Sequence, residues 1–140
     1  MTRILFVCTA NACRSQMAEA IGRRLAEGLD IDFESAGTSP GRSIDPGAKE
    51  FLARRGFDLS GQKAKGLMDV GSLSQYTYVI ALCDSACVHL PRKALGSRYL
   101  EWPQPDPTAS SQWSREDAYG ALFACLEAKI GELIVKLQKS

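Results

Sequence analysis

The stretch "VCTANACRSQMAEA", residues 7–20, joins an apolar run to a segment whose apolar residues have helical spacing. Within it, Cys8 and Arg14 stand at the ends of a C-x5-R pattern. A loop of small residues between a strand and a helix can turn its N–H groups toward a tetrahedral oxyanion, to which the helix N-terminus adds partial positive charge. Arg14 can offer a two-pronged donor to two of the anion's oxygens. The loop predicted to bind the anion comprises Thr9, Ala10, Asn11, Ala12, Cys13 and Arg14.

The same electrostatic field stabilises a thiolate, so Cys8 is predicted to be a nucleophile. Ser15 has two compatible roles, as a hydroxyl donor to this thiolate or as the cap of the following helix. Asn11 tolerates a left-handed backbone and can fix the loop by side-chain hydrogen bonds. A buried strand-end cysteine and a surface arginine would give the same letters by chance, but the strand-to-helix junction favours an anion site.

Strands alternate with helices along the rest of the chain, which predicts a mainly parallel sheet. We expect one α/β domain over residues 1–140, a four-stranded parallel sheet with helices on both faces. Ligand sites in such sheets lie beyond the carboxyl ends of the strands, so Cys8 and Cys83 are expected to share one crevice. The predicted strands cover residues 3–8, 31–36, 76–82 and 98–102, and the predicted helices cover residues 15–27, 45–55 and the segment after Ser114.

Composition excludes several classes of partner. The formal net charge of +1 gives no reason to expect nucleic acid or an anionic membrane. The protein is expected to be a monomer. The first apolar run, residues 4–8, is too short for a signal peptide or a membrane span, so a cytoplasmic location is expected. Thiols stay reduced there, and the five cysteines are interpreted as reactive thiols and core residues rather than a disulfide framework.

Cys83 and Cys87 form a second candidate group. An extended chain would separate their Cα atoms by about 13 Å, whereas a helical turn brings them to about 6 Å. Only the shorter distance permits a disulfide. Two unrelated cysteines remain an alternative, but beside an anion-binding thiol the pair favours redox chemistry.

The other cysteines and the single histidine have simpler interpretations. Cys13 is expected to be a small core residue pointing away from the anion, with a protective bond to Cys8 as the alternative. Cys125 is expected to be a core residue of the last helix, among Leu122, Leu126 and Ile130. His89 is interpreted as structural or exposed, and no metal site is predicted.

The quoted stretch resembles the active-site loop of the low-molecular-weight protein tyrosine phosphatases and, more narrowly, of the arsenate reductases built on that fold. Phosphatases of the family usually carry proline after the Arg-Ser pair, whereas the reductases carry Gln-Met-Ala-Glu, as at residues 16–19 here. The resemblance implies a low-molecular-weight tyrosine phosphatase-like fold. It continues through "ESAGT" (34–38), "DLSGQKAK" (58–65), "VIALCDSACVHLP" (79–91) and "EWPQPDP" (101–107).

The resemblance also implies an order of events. Cys8 attacks arsenate, for which phosphate or sulfate is a mimic; Cys83 then attacks Cys8 and releases arsenite. Cys87 attacks Cys83, and an external reductant, thioredoxin or glutaredoxin with glutathione, reduces the resulting disulfide. No bound cofactor is implied.

Asp106 matches the family's general acid, although aspartate before proline is also a common turn residue. Thr108 and Ala109 stand where the phosphatases carry aromatic residues, which argues against an aryl phosphate substrate. An alternative function is hydrolysis of small phosphomonoesters by Cys8, Arg14 and Asp106. A third is a non-catalytic oxyanion or redox sensor that controls a partner.

Some reductases of this type hold potassium beside the loop through asparagine, glutamate, serine and aspartate. The matching positions are Asn11, Glu19, Ser35 and Lys65, so a lysine replaces the last acid. The resemblance therefore predicts no bound potassium and a Lys65 ammonium paired with Glu19, which would otherwise lack a cation. A solvated surface lysine is the alternative.

Overall fold

The structure is a computed structural model that describes residues 1–108 and 114–139. Ala109 and the side chain of Cys87 lie outside the described part. The strands are β1 (Thr2–Cys8), β2 (Ile31–Gly37), β3 (Tyr78–Ala81) and β4 (Tyr99–Glu101). The α-helices are α1 (Arg14–Leu25), α2 (Pro46–Ala53), α3 (Asp84–His89), α4 (Arg92–Leu95) and α5 (Arg115–Lys139). Short 3-10 helices cover Leu67–Asp69, Leu73–Gln75 and Gly96–Arg98.

The four strands form one parallel sheet in the order β2-β1-β3-β4. Residues 4–7 of the central strand β1 are all fully buried. Successive side chains of a strand point to opposite faces, so both faces of the sheet are covered. On one face Phe6 stacks on Phe33, with ring centroids 5.8 Å apart, and contacts Trp102. The predicted parallel sheet covered on both faces is confirmed.

The caps of the helices explain where two of them begin. Asp45 accepts a hydrogen bond from the Ala48 amide and caps α2, as predicted. The Ser114 hydroxyl accepts from the Asp117 amide at 3.1 Å at the start of α5, also as predicted. Cys125 is only half-buried on α5, so its assignment to the core is wrong.

The topology brings the ends of β1 and β3 together at one edge of the sheet. The amide of Leu82, just after β3, donates to the Val7 carbonyl at 2.8 Å. Cys8 is the last residue of β1 and Cys83 follows β3 by two residues, so both cysteines lie at this edge of the sheet. Within residues 1–108 and 114–139, no helix is both long enough and apolar enough to cross a membrane.

Candidate active site

The loop between β1 and α1 is held from outside through its carbonyl groups. Amides of Thr38, Ser39, Gly41 and Asp45 donate to four of these carbonyls over 2.8–3.0 Å. The accepting carbonyls are those of Cys8, Thr9, Ala10 and Ala12. Because the carbonyls face outward, the peptide N–H groups are directed toward the inside of the loop, where they can bind an anion.

The end of β2 passes so close to this loop that only glycine fits at position 37. A Cβ atom on Gly37 would stand 2.5 Å from the Thr9 carbonyl oxygen and 2.9 Å from the Asn11 amide nitrogen. Both contacts are with backbone, which cannot move aside without opening the loop. Gly37 thus permits the segment after β2 to bind the loop's carbonyls.

Asn11 adopts a left-handed backbone with φ of +53°, which asparagine tolerates better than most residues. Its amide nitrogen donates to the Ser15 hydroxyl at 2.7 Å, and its Oδ1 accepts from the Lys65 amide at 2.9 Å. The predicted left-handed conformation and side-chain bonding of Asn11 are present. The turn that curls the loop is thereby tied to α1 and to residue 65.

Cys8 is almost fully buried at the base of the loop, with its sulfur 2.8 Å from the Ser15 hydroxyl oxygen. Because Ser15 already accepts a hydrogen bond from Asn11, its own hydroxyl proton is available to the sulfur. The other role predicted for Ser15, as helix cap, is wrong, since Cys13 occupies the N-cap position and α1 begins at Arg14. The relay Asn11 to Ser15 to Cys8 is suited to stabilising a thiolate.

Replacing Ser15 with alanine is expected to lower the rate of Cys8 alkylation and of any Cys8-dependent turnover. The lost hydrogen bond to an anion contributes about 1.5–3 kcal/mol, a change of about 10- to 150-fold. The rate of Cys8 alkylation by iodoacetamide measures this change. Ser15→Thr keeps the hydroxyl and is the control; an unchanged rate in Ser15→Ala would show that the hydroxyl does not serve the sulfur.

Arg14 and Asp106 face Cys8 across a cavity of about 310 Å³. A guanidinium nitrogen of Arg14 donates to the Gln104 carbonyl at 3.1 Å, which orients the side chain. The Asp106 carboxylate accepts from the amide and hydroxyl of Thr108 at 2.9 and 2.7 Å. A cation and a fixed carboxyl group therefore stand beside the thiol, as an acid-assisted displacement at an oxyanion requires.

Cys83 lies beside the same loop. It is 5% exposed, precedes α3, and its sulfur is 3.3 Å from the Thr9 hydroxyl. It lines a second cavity of about 410 Å³, and Arg14 and Asp106 line both cavities. Cys8 and Cys83 thus line two cavities that share Arg14 and Asp106, where one crevice was predicted. Cys87 belongs to α3, so the chain after Cys83 takes the helical rather than the extended of the two conformations considered for this pair.

Gln16 and Gln62 belong to the site's support and were not singled out from the sequence. The buried Gln16 amide donates to the Asn11 carbonyl, to Asn11 Oδ1 and to the Lys63 carbonyl at 2.8–3.0 Å. Its Oε1 accepts from Gln62 at 2.7 Å. The available signal was a glutamine next to Met17 and Ala18, which are core residues of the same helix. A side-chain amide buried there must find hydrogen-bond partners.

Glu19 is buried and meets two cations. Its Oε1 accepts from the Ser35 hydroxyl at 2.5 Å and lies 3.6 Å from Lys65 Nζ, so the predicted pairing with Lys65 is present. Its Oε2 lies 2.8 Å from Arg23. The expectation that Glu19 would otherwise lack a cation is therefore wrong, because the i,i+4 position on α1 supplies one.

The structure also places the side chains of Cys13 and His89. Cys13 is buried in the hydrophobic core, as predicted, and also lines the same cavity as Cys8. His89 is exposed, one of its two predicted placements. Cys8, Cys13, Cys83 and Cys125, the cysteines whose side chains are described, are all free thiols.

Comparison with known proteins gives consistent matches along the chain. The glutaredoxin arsenate reductase of Synechocystis sp. is 34% identical over 138 residues, which are 98% of this chain and 99% of that protein. The arsenate reductase of Staphylococcus xylosus is 35% identical over 111 residues, 79% of this chain and 82% of that one. A solved structure described as an arsenate reductase in the phosphate-binding state superposes with a TM-score of 0.81 at 28% identity, covering 97% and 98% of the two chains.

The family comparison agrees with the geometry of the loop. Residues 3–140 match the family described as low molecular weight phosphotyrosine protein phosphatase. That match includes β1 from Arg3 onward, the loop, the residues that line both cavities, and α5. The chain belongs to the low molecular weight phosphotyrosine protein phosphatase family.

Proposed function

We propose that this protein reduces arsenate to arsenite through a relay of three of its own thiols, Cys8, Cys83 and Cys87, two of which end as a disulfide and so supply the two electrons. The observation that carries the proposal is the second buried thiol, Cys83, at the edge of the loop that holds Cys8. Hydrolysis of a phosphate ester needs only one thiol, whereas reduction needs a thiol that can take over the bond to Cys8. Two relatives matched over 98% and 79% of this chain are named as arsenate reductases, which supports the same function.

The first step is a displacement at arsenic. The loop amides and Arg14 hold arsenate, and the Cys8 thiolate forms a sulfur–arsenic bond while an arsenic–oxygen bond breaks. The departing oxygen leaves as water after taking up protons, one of which Asp106 supplies. Arsenic remains in its oxidised state, and the product is a covalent adduct on Cys8.

The second step transfers the electrons. Cys83, as thiolate, attacks the Cys8 sulfur; the new sulfur–sulfur bond replaces the sulfur–arsenic bond, whose electron pair stays on arsenic. Arsenic is thereby reduced by two electrons and leaves as arsenite after protonation. Cys87 then attacks Cys83, which frees Cys8 as a thiolate and leaves a Cys83–Cys87 disulfide.

An external thiol system restores the enzyme. The reductant reduces the Cys83–Cys87 disulfide by thiol–disulfide exchange, in the cytoplasm, where such donors are kept reduced. Glutaredoxin with glutathione is the first system to test, because a relative matched over nearly its whole length is named for it. Thioredoxin is the second.

A phosphatase is the other candidate function, favoured by the position of Asp106. Its carboxylate shares a cavity with Cys8 and Arg14, the three groups that hydrolysis of a phosphomonoester requires. Among the described residues of that cavity's lining no aromatic side chain is present to clamp an aryl ring. A small alkyl phosphate is therefore the substrate that separates this function from reduction.

The test is arsenate-dependent oxidation of NADPH with the glutaredoxin system and, separately, the thioredoxin system. Arsenite is measured directly at the end of each assay. We expect arsenite in proportion to NADPH with at least one system, and none with Cys8→Ser. Absence of arsenite with both systems would contradict the proposal; hydrolysis of the alkyl phosphate would then support the phosphatase, and its absence the sensor.

We also propose that the Lys65 ammonium takes the place of a potassium ion. The ammonium lies 3.6 Å from the buried Glu19 carboxylate, and its positive charge would repel a second cation at that place. Turnover is therefore expected to be the same in potassium and in tetramethylammonium chloride at equal ionic strength. In Lys65→Asp, which restores the acid, potassium is expected to raise thermal stability; Lys63→Asp is the control. A potassium effect on the unaltered protein would contradict this role of Lys65.

A further inference from the structure

The cavity that holds Cys8 contains a second thiol that the proposed reaction does not use. Cys13 lies at the end of the same loop, is 7% exposed and lines the cavity together with Cys8 and Arg14. An attack by Cys13 on the adduct of Cys8 would also reduce arsenic by two electrons. It would form a Cys8–Cys13 disulfide. The relay would then stop, because Cys87 attacks the sulfur of Cys83 and a Cys8–Cys13 disulfide does not contain that sulfur. Something must direct the attack to Cys83.

Asp45 is placed to do so. Its amide donates to the carbonyl of Ala12, the residue before Cys13, at 2.8 Å. Its carboxylate lines the cavity and accepts hydrogen bonds from the Ala48 amide and the Tyr119 hydroxyl. Contacts with the loop, α2 and α5 thus fix Asp45 in the cavity that Cys13 also lines.

The surroundings of Cys13 oppose its ionisation. Burial raises the pKa of this thiol, and the carboxylates of Asp45 and Asp106 and the neighbouring Cys8 raise it further, while Arg14 acts in the opposite direction. A protonated thiol is a poor nucleophile. Of the charges that act on Cys13, Asp106 and Arg14 already have roles in the proposed reaction, which leaves Asp45 without one.

We propose that Asp45 determines which thiol resolves the adduct on Cys8, because its negative charge keeps Cys13 from attacking and leaves that step to Cys83. This inference rests on the proposed function and adds a specificity-determining residue to it. Asp45 touches neither the reacting sulfur of Cys8 nor arsenic in this scheme. It acts through Cys13 and is a positioning residue for the redox relay.

Two substitutions separate charge from shape. Asp45→Asn removes the charge but keeps an oxygen that can accept from Ala48 and Tyr119. Asp45→Glu keeps the charge but lengthens the side chain. Asp30→Asn, at an exposed aspartate near the N-terminus, is the matched control. Each protein is reduced, freed of reductant, given arsenate and quenched by alkylation.

Tryptic peptides distinguish the products. Cleavage after Arg3 and Arg14 places Cys8 and Cys13 together in peptide 4–14, and cleavage after Lys65 and Arg92 places Cys83 and Cys87 in peptide 66–92. We expect the share of disulfide within peptide 4–14 to rise about tenfold in Asp45→Asn, because the Cys13 thiol loses a neighbouring negative charge that opposes its ionisation. Asp45→Glu and Asp30→Asn are expected to match the unaltered protein. An unchanged share in Asp45→Asn, or a larger rise in Asp45→Glu, would overturn the inference.

A second measurement needs no arsenate. In a Cys8→Ser background, Cys13 alkylation at neutral pH is expected to be about tenfold faster with Asp45→Asn than with Asp45 intact. If arsenate produces no disulfide in any variant, the proposed function fails and selection between thiols fails with it. An equal alkylation rate with and without the Asp45 charge overturns the inference even where arsenate is reduced.

Discussion

Replacing Cys83 with serine is expected to abolish multiple-turnover reduction of arsenate. The serine hydroxyl can keep the contact that the Cys83 sulfur makes with Thr9, but it cannot form a disulfide with Cys8. The adduct on Cys8 would then lack the thiol that releases arsenite. The measurement is arsenite formed per enzyme molecule with the external reductant in excess, and we expect less than one equivalent.

The same variant separates the two enzyme functions. Any hydrolysis of an alkyl phosphate by the unaltered protein is expected to persist in Cys83→Ser, since that reaction requires only Cys8, Arg14 and Asp106. Cys125→Ser is the matched control, because Cys125 lies half-buried on α5 and lines neither cavity of the site. Repeated arsenate turnover by Cys83→Ser would show that the relay is wrong.

Much of the fold follows from local sequence pattern. The run at residues 3–8 predicts β1 because a strand buried on both faces has no polar alternation, and residues 4–7 are indeed fully buried. The predicted strand at 76–82 is longer than β3 (Tyr78–Ala81) because hydrophobicity reports burial rather than pairing. Tyr76, for example, is almost fully buried outside the strand.

The loop of the candidate site was predictable for a different reason. Its chemistry depends on neighbours in the chain: Cys8, Asn11 and Arg14 act within one turn between a strand and a helix. The loop's outer supports come from distant segments, 38–45 and 62–65, and no local pattern shows which carbonyl each amide will meet. Asp45 illustrates the limit, since its sequence context predicts only the helix cap.

Two of the wrong predictions, those for Ser15 and Glu19, share a physical cause, which is competition between partners in three dimensions. Ser15 has the side chain of a helix cap, but Asn11 and Cys8 take up its hydroxyl. Glu19 was assigned only the cation at Lys65, although Arg23 reaches its other oxygen. Each group had several allowed partners, and packing of the loop against α1 decided among them.

Replacing Arg14 with lysine is expected to lower kcat/KM for arsenate by about 10²- to 10³-fold, the loss typical of removing one donor to a developing oxyanion. The guanidinium can bind two oxygens in one plane while another nitrogen keeps its bond to the Gln104 carbonyl. A lysine ammonium is a point charge on a flexible stem and cannot do both. Steady-state kinetics with the external reductant in excess measure this loss.

Arg115→Lys is the matched control for Arg14→Lys. Arg115 lines the same cavity as Arg14 but is exposed at the start of α5, where solvent screens its charge. We expect kcat/KM to stay within about twofold of the unaltered protein, as for an exposed charge. No loss in either variant would mean that the total positive charge of the cavity binds arsenate, and equal losses would mean that both guanidinium groups supply donors. A loss confined to Arg14→Lys would assign that binding to the planar fork of donors beside Cys8, because both substitutions leave the net charge unchanged.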